Sequence, residues 1–246
     1  MDVKKLRNKY SGKRIFVIGN GPSLGKMNLD LIKDEYSIAM NRISIIYNQT
    51  EWRPSFFVCT TTNVEDELWK KDILTSVELG IPIFIWDRLK EHFVGRNNII
   101  EMECSNGMEV TEDPPIDWWS NDIEVGVTKY GTSMIVALQI VAYLGFEKIY
   151  IIGADLGFKQ HIIQKILYRL NMQTLGHLFD QNHFAGNYGT PGATPEILNS
   201  NMIGAHKLAK KACSVLGVDV FNASIGGNLE IYKRVDYYSL FKSRDD

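Results

Sequence analysis

The stretch RIFVIGNGPSL, residues 14–24, decides the fold, because an apolar run of strand character ends there in a glycine-rich turn. Gly19 and Gly21 allow positive φ angles and the close approach of another backbone. Asn20 tolerates left-handed geometry, and Ser23 can cap a helix that follows. A buried strand that leads into such a turn suits the phosphate or sugar of a nucleotide, although an ordinary turn has the same pattern.

Two familiar phosphate-binding motifs do not fit this turn. A Walker loop would continue into Gly-Lys followed by Ser or Thr, and that sequence is absent here. Gly19, Gly21 and Gly25 form Gly-x-Gly-x-x-x-Gly, which is one residue longer than the dinucleotide-binding fingerprint. The spacing alone therefore leaves both a nucleotide-binding turn and an ordinary turn open.

The length and composition of the chain are those of an ordinary globular protein. With 246 residues, 45% hydrophobic and 23% charged, it can bury a sizeable core, and we expect one domain over residues 1–246. A formal net charge of −2 argues against a sequence-independent nucleic-acid binder, because such a protein needs a basic surface. We therefore expect no nucleic-acid partner.

Cysteine, histidine and apolar patterns argue against further classes of protein. The cysteines form no Cys-x-x-Cys pair and the histidines no His-x-x-x-His pair, so we expect neither a disulfide framework nor a metal site. No apolar core follows residues 1–5, and the longest apolar runs are strand-sized, so we expect no signal peptide and no membrane span. The cytoplasm is the expected location, while contact with the inner face of the membrane and homo-oligomer formation stay open.

Apolar runs of strand character alternate with helical patterns along the chain. The strand-like runs are Ile15–Ile18, Ser37–Met40, Phe56–Cys59, Ile81–Trp86, Ile149–Ile152 and, more weakly, Val218–Asn222. The helical patterns are Leu29–Lys33, Val64–Leu79, Ser133–Leu144 and Asn199–Leu216. This alternation predicts an α/β domain with a mostly parallel central sheet and helices on both faces, in which ligands bind beyond the C-terminal ends of the strands.

Two regions break this alternation. Cys104–Lys129 contains prolines, tryptophans and many acidic residues, and is predicted to be an irregular loop or a strand-poor insertion. Residues 158–195 contain a helical piece around Ile162–Leu175, followed by a stretch dense in Asn, Gly, His and Tyr. A connection this long inside a compact domain is usually a functional lid or disordered, and we predict a lid-like insertion.

Polar residues stand where several predicted strands end or helices begin. Asn41 follows the second strand, and Asp155 follows a strand that ends at Gly153, so both should face the crevice of the glycine-rich turn. Thr132 or Ser133 can cap the most apolar helix, whose first turn offers free N–H groups to an anion. Each of these residues also has an ordinary structural interpretation, as a turn or a cap.

His183 lies in the polar part of the lid-like segment. Histidine is the side chain that ordinarily titrates near neutral pH, which suits a general base. A histidine in a plain surface loop would have the same sequence context. The other histidines have less suggestive surroundings, namely His92, His161, His177 and His206.

Taken together, these motifs in this order resemble the small bacterial sialyltransferases. The same features are similar to a broader family that holds the motility accessory factor glycosyltransferases and the MptE-like hydroxymethylpterin pyrophosphokinases. The resemblance covers roughly residues 14–227 and is carried by the segments IGNGPS (18–23), Asn41, GTS (131–133), LGFEKIY (144–150), GAD (153–155), NHF (182–184) and NASIGG (222–227).

The resemblance implies a Rossmann-like domain that transfers a sugar from a CMP-activated donor to a glycan or lipid-linked oligosaccharide acceptor in bacterial surface-polysaccharide synthesis. The implied reaction is inverting and needs no metal or cofactor, with His183 as the general base. Lid tyrosines stabilise the leaving phosphate in those enzymes, and Tyr168 and Tyr188 are the candidates here. The implied donor-site residues are Gly19, Asn20, Gly21, Pro22, Ser23, Asn41, Thr132, Ser133, Gly153 and Asp155.

Three departures from the sialyltransferase pattern touch the implied donor site. Lys129 and Tyr130 stand where those enzymes have an Arg before the Thr-Ser segment, Met134 replaces a Gly, and threonines replace the Asn after the third strand. The donor sugar therefore stays open between sialic acid, a related nonulosonic acid and Kdo. Two other functions also stay open. One is a pterin pyrophosphokinase that uses ATP and magnesium, with Asp155 helping to hold the metal, and the other is a non-catalytic nucleotide-binding module.

Overall fold

The structure is a computed structural model that describes residues 2–105, 111–159, 161–170, 172, 181–185 and 195–241. The strands within these ranges are β1 (Arg14–Ile18), β2 (Ser37–Met40), β3 (Phe56–Cys59), β4 (Ile83–Trp86), β5 (Ile99–Met102), β6 (Cys104–Ser105), β7 (Val127–Thr128), β8 (Lys148–Ile152), β9 (Asp219–Asn222) and β10 (Lys233–Arg234). The α-helices are α1 (Glu67–Val77), α2 (Ser133–Tyr143), α3 (Ile162–Arg169) and α4 (Pro195–Val215). Short 3-10 helices span Val3–Leu6, Pro22–Lys26, Leu29–Ile32, Ile43–Ile46, Thr62–Glu65, Asp87–Phe93, Ile116–Trp118 and Tyr238–Phe241. No helix in the described part of the chain is long and apolar enough to cross a membrane.

The central sheet has eight strands in the order β10-β9-β8-β1-β2-β3-β4-β5, and each neighbouring pair is parallel. The chain begins at β1, adds β2 to β5 on one side, and then returns to add β8 to β10 on the other side. The strand order therefore reverses between β1 and β8, which is where open α/β sheets bind their ligands. This topology confirms the predicted Rossmann-like α/β class.

Two strands of the sheet were not predicted, and one begins two residues later than predicted. β5 is an edge strand in which the exposed Glu101 interrupts the apolar run, as is common where one side of a strand faces solvent. β10 is only two residues long and carries basic side chains. β4 begins at Ile83 rather than Ile81 because Pro82 has no N–H to donate, and the amide of Ile83 makes the first bond to Asn98 O at 3.0 Å.

Both faces of the sheet are covered, because alternate side chains of each strand point to opposite sides. Val17 of β1 packs in the same core cluster as Ile135 of α2 and Leu208 of α4. Phe16, its neighbour in β1, packs in a second cluster with Ile73 of α1 and the apolar residues of the 3-10 helices. The largely apolar sequence of α2 is explained by burial on nearly all sides.

A single buried glutamine joins the irregular segment before α2 to the core. The Oε1 atom of Gln139 accepts hydrogen bonds from the backbone amides of Ser120 (3.1 Å) and Thr128 (3.0 Å). Its Nε2 atom donates to the carbonyls of Thr128 (2.8 Å) and Ile135 (3.1 Å). The predicted irregular region is therefore ordered where it is described, with a short parallel β6–β7 pair and a buried Trp119.

The reversal point is held by direct contact between the turns that follow β1 and β8. The amide of Gly21 donates to the carbonyl of Gly153 at 2.8 Å, and the amide of Gly19 donates to Ile152 O at 2.8 Å. A Cβ atom on Gly19 would lie 2.4 Å from the carbonyl oxygen of Gly153. Gly153 itself has φ +65°. Only glycine fits at these two positions, since one backbone fills the space of the other's side chain.

Gly19→Ala should lower the free energy of unfolding by about 2–3 kcal/mol, because the backbone of β8 would have to move away from the new methyl group. Urea unfolding followed by circular dichroism measures this change. Gly25→Ala is the matched control in the same segment, because its Cβ would meet nothing closer than Phe184 Cβ at 3.7 Å. We expect Gly25→Ala to stay within about 0.5 kcal/mol of the parent protein. Equal effects of the two substitutions would contradict the proposed packing.

Candidate functional site

A cavity of about 260 Å³ opens at the reversal point, beyond the C-terminal ends of β1, β2 and β8. Ten of the residues singled out from the sequence line it, and they come from five separate segments of the chain: Gly19, Asn20, Gly21, Pro22, Asn41, Thr132, Ser133, Gly153, Asp155 and His183. Ser23 is buried beneath the turn instead of lining the cavity. The structure thus brings together residues that are up to 164 positions apart in sequence, from 19 to 183.

Asp155 holds the glycine-rich turn in place. Its Oδ2 atom accepts a hydrogen bond from the backbone amide of Ser23 at 2.8 Å. A Cβ atom on Gly21 would lie 2.3 Å from the same oxygen, so the turn presses directly against the carboxylate. The other oxygen, Oδ1, is buried and has no hydrogen-bond partner among the described residues. One oxygen of this carboxylate therefore fixes the turn, and the other has no partner in the part of the chain that the structure describes.

Two asparagine amides lie at the ends of β1 and β2. The Nδ2 atom of Asn20 donates to the carbonyl of Met40 at 3.1 Å, which links the two strand ends. Asn41 adopts φ +55°, a left-handed conformation that asparagine tolerates better than most residues. The Oδ1 atoms of both residues are buried without a partner among the described residues. Buried acceptors without a partner are rare in folded proteins and mark positions that need a special explanation.

The N-terminus of α2 points its first turn at the cavity. Thr132 caps the helix by accepting a hydrogen bond from the amide of Met134 at 3.3 Å. The hydroxyl of Ser133 accepts from Thr60, at the end of β3, at 3.1 Å. Gly131 has φ +67°, and a Cβ there would lie 2.2 Å from the carbonyl of Asn201 in α4. The free N–H groups of this turn and the helix dipole suit an anion.

A second cavity of about 330 Å³ adjoins the first and shares Asn41, Gly131, Thr132 and Ser133 with it. Lys129 also lines this side cavity, and its Nζ atom lies 4.4 Å from the ring centroid of Trp86. No carboxylate in the described ranges forms an ion pair with Lys129, and burial lowers the pKa of its ammonium group. The side cavity therefore combines hydroxyl groups with a cation that has no carboxylate partner in the described part of the chain.

The residues around His183 are tied to both the turn and the chain beyond β8. The amide of Phe184 donates to the carbonyl of Asn20 at 2.9 Å. The side chain of Asn182 bonds both the amide and the carbonyl of Lys159, each at 2.8 Å. The imidazole of His183 meets the ring of Phe158 edge to face, with centroids 5.9 Å apart. These contacts hold the imidazole in the cavity.

A second asparagine fixes the backbone of Phe158, whose ring contacts His183. Asn199 of α4 accepts from the amide of Phe158 at 2.7 Å and donates to its carbonyl at 3.2 Å. The backbone of residue 158 and that of residue 159 are thus each held by hydrogen bonds to one asparagine side chain. Phe158 also lines the cavity, so these hydrogen bonds fix one wall of the cavity.

Several cavity residues were not identified from the sequence as site residues, among them three on the helices α1 and α4. Trp69 of α1 lines the cavity and lies under the guanidinium group of Arg42, whose Nε atom bonds Asp72 Oδ2 at 2.6 Å. Met202 adds apolar surface from α4. His206, also of α4, is buried with its Nδ1 atom 3.1 Å from the hydroxyl of Tyr232. Burial lowers the pKa of His206 to about 4, so this imidazole is neutral at pH 7.

The remaining sequence candidates fall outside what the structure describes. Tyr188 lies outside the described residues, and Tyr168 belongs to α3 but its side chain is outside the description. Among the described residues, no three histidine, cysteine or acidic side chains are grouped so that they could hold a metal ion.

One solved structure shares this architecture. The MAf glycosyltransferase from Magnetospirillum magneticum AMB-1 superposes with a TM-score of 0.53 at 14% identity, over 97% of this chain and 38% of that protein. This chain therefore spans little more than a third of that protein, and the likeness shows a shared fold. A variant of the sialyltransferase CST-II solved in complex with CMP gives a TM-score of 0.47 at 11% identity, over 90% of this chain and 85% of that one. No curated protein sequence matches the chain significantly.

One family model covers most of the domain. The model described as 6-hydroxymethylpterin diphosphokinase MptE-like matches residues 1–161, which include β1 to β8, the glycine-rich turn and the N-terminus of α2. The match covers well over half of the chain and confirms the resemblance noted from the order of the motifs. The chain belongs to the MptE-like family.

Proposed function

We propose that this protein is a glycosyltransferase that moves a sugar from a CMP-activated donor to a glycan or lipid-linked oligosaccharide acceptor in bacterial surface-polysaccharide synthesis. The observation that carries the proposal is the position of His183 in the same cavity as the glycine-rich turn and the N-terminus of α2. A nucleotide site with a histidine at its mouth suits a reaction in which a hydroxyl group must lose a proton. In this proposal residues 158–195 serve as the lid of a single domain.

The walls of the cavity suggest how a CMP group would lie. The backbone of Gly19–Gly21 permits close approach of a ribose or phosphate, and the unpaired Oδ1 atoms of Asn20 and Asn41 would accept hydrogen bonds from amino or hydroxyl groups. Trp69 offers an apolar surface to a base. The phosphate would meet the first turn of α2, where Thr132 and Ser133 also stand.

The side cavity supports an acidic sugar as the donor. Sialic acid, other nonulosonic acids and Kdo all carry a carboxylate next to the anomeric carbon. Lys129 supplies a cation without a described carboxylate beside it, and it lies next to the proposed phosphate position at α2. A carboxylate in the side cavity would therefore gain a charge-assisted hydrogen bond. Lys129 would take the place of the arginine that the sialyltransferases have just before the Thr-Ser segment, and would bind the carboxylate of the donor sugar.

The proposed reaction is an inverting displacement. The acceptor oxygen attacks the anomeric carbon while His183 takes the proton of the hydroxyl group, and the bond from that carbon to the phosphate oxygen of CMP breaks. The phosphate leaves with the bonding electron pair, and the N–H groups of α2 stabilise its charge. Tyr168 and Tyr188 are the proposed additional donors to this phosphate. No step in this scheme requires a metal or a cofactor.

His183→Ala should reduce sugar transfer at least about a hundredfold, the usual contribution of a general base, and leave nucleotide affinity nearly unchanged. CMP release from CMP-sialic acid and CMP-Kdo, measured with a panel of oligosaccharide acceptors, reports transfer, and calorimetry reports affinity. His92→Ala is the matched control, because His92 lies outside the cavity. Full activity of a folded His183→Ala protein would refute the proposed mechanism.

The family description favours a second candidate, a diphosphokinase that uses ATP and magnesium. Asp155 would then help to hold the metal through Oδ1, the oxygen that the turn leaves unpaired. A third candidate is a nucleotide-binding module without catalysis. The diphosphokinase differs from the transferase in the nucleotide that it binds and in its need for a metal, and the module differs from both in lacking catalysis.

Thermal unfolding with CMP, CDP, UDP or ATP, each in EDTA or in magnesium, separates the transferase from the diphosphokinase. We expect stabilisation by CMP or CDP in EDTA, because a ligand at about a hundred times its dissociation constant adds about 2.7 kcal/mol. Asn41→Gly should abolish this gain, since glycine keeps the φ of +55° but removes the amide. Asn8→Gly, at a second residue with left-handed φ, is the control. Stabilisation by ATP only with magnesium would instead favour the diphosphokinase. No stabilisation by any of the four nucleotides would favour a non-catalytic module with a degraded site, or a site that only the acceptor completes.

A further inference from the structure

Helix α3 is oriented with its apolar side facing solvent. Ile162 is 70% exposed, Ile166 is 51% exposed, and Leu170, directly after the helix, is 62% exposed. Gln164, on the opposite side of the helix, is 3% exposed. A helix on the surface of a globular protein normally buries its apolar side and exposes its polar one. The orientation of α3 is the reverse of that arrangement.

The exposed apolar residues form one continuous stripe. Residues four positions apart lie on the same side of a helix, so Ile162, Ile166 and Leu170 follow one another along it. Ile163 borders this stripe and is 41% exposed. We call these four residues the α3 stripe. Contiguous exposed apolar surface of this kind marks an interaction site, unlike single exposed residues.

The charges around the α3 stripe have one sign. The chain has no acidic residue between Asp155 and Asp180. Lys165 and Arg169 are exposed on α3, beside the stripe, and Lys159 precedes the helix. A short amphipathic helix with isoleucines on one side and only basic charges beside them is the composition of a helix that lies in the headgroup region of an anionic membrane.

We propose that α3 is a membrane-docking helix, whose stripe enters the boundary between headgroups and acyl chains of an anionic leaflet. Lys165 and Arg169 would bind the phosphate groups of the lipids, since both lie next to the stripe. A second copy of this chain is a poorer occupant of the stripe. A two-fold symmetric contact through α3 would bring the basic residues of both copies together, and residues 156–179 offer no acid to neutralise them.

Docking through α3 would bring the cavity close to the lipid surface. Phe158 lines the cavity, and α3 begins only four residues later in the chain. Asn199 fixes the backbone of Phe158 from α4, so the start of the connection to α3 is held against the body of the protein. The membrane proposal depends on α3 alone and does not rest on the function proposed above.

Vesicle flotation of the full chain tests this proposal without any nucleotide. The probes are phosphatidylcholine vesicles and the same vesicles with about one third phosphatidylglycerol. We expect binding to the anionic vesicles only, and weaker binding as salt is added, because salt screens the basic residues. Ile162→Ser with Ile166→Ser should weaken binding at least about tenfold, and Lys165→Gln with Arg169→Gln about thirtyfold.

The control is Val94→Ser with Val125→Ser, which changes two apolar residues that are 81% and 76% exposed elsewhere on the surface. We expect this control to bind like the parent protein. Circular dichroism and sedimentation accompany each variant, and the altered side chains of α3 are exposed, so the fold should be kept. The proposal would be overturned if the protein did not bind anionic vesicles, or if the control variant lost as much vesicle binding as the α3 variants. It would also be overturned if the protein formed an oligomer that the isoleucine substitutions dissociate and did not bind the vesicles.

Discussion

The contact between the turns after β1 and β8 is the constraint on which the rest of the structure depends. The backbone of Gly19 and that of Gly153 occupy the space where the other's side chain would be, so the two strand ends meet without side chains between them. This meeting brings Asp155 under the glycine-rich turn, where its carboxylate accepts the amide of Ser23 at 2.8 Å. The turn is therefore rigid before any ligand arrives, and its N–H and amide groups are set in position by the sheet itself.

The residues around this rigid turn also lower the stability of the folded protein. The Oδ1 atoms of Asn20, Asn41 and Asp155 are buried without partners among the described residues, and each unpaired buried acceptor costs about 1–3 kcal/mol. Asn41 adds a left-handed backbone conformation to this cost. A sequence selected only for stability would replace such groups with apolar or paired ones. Their concentration around one cavity is better explained by ligand recognition, because a bound molecule with matching donors would satisfy them.

The sequence predicts the features that local patterns and the order of the strands determine. The strands β1, β2 and β3 follow from apolar runs, and the rule that ligands bind at strand ends picks out Asn41 and Asp155. The sequence does not predict what depends on packing between distant segments. Trp69 looks like any apolar residue of an amphipathic helix, and His206 becomes a cavity residue only because α4 packs beside α2. The outward orientation of α3 was equally hidden, since its periodicity is that of a helix that buries its isoleucines.

The hydrogen bonds of two asparagines to the backbone of residues 158 and 159 connect the candidate base, His183, to the candidate membrane helix, α3. Asn182 holds Lys159 from the His183 side, and Asn199 holds Phe158 from α4. This short stretch and the carbonyl of Asn20 are two of the places where the described part of the proposed lid contacts the body. A displacement of α3 would act first on Lys159 and Phe158, and through them on the edge-to-face contact with His183. Lys159 and Phe158 therefore form one route by which a surface that docks α3 would be coupled to the chemistry of the cavity.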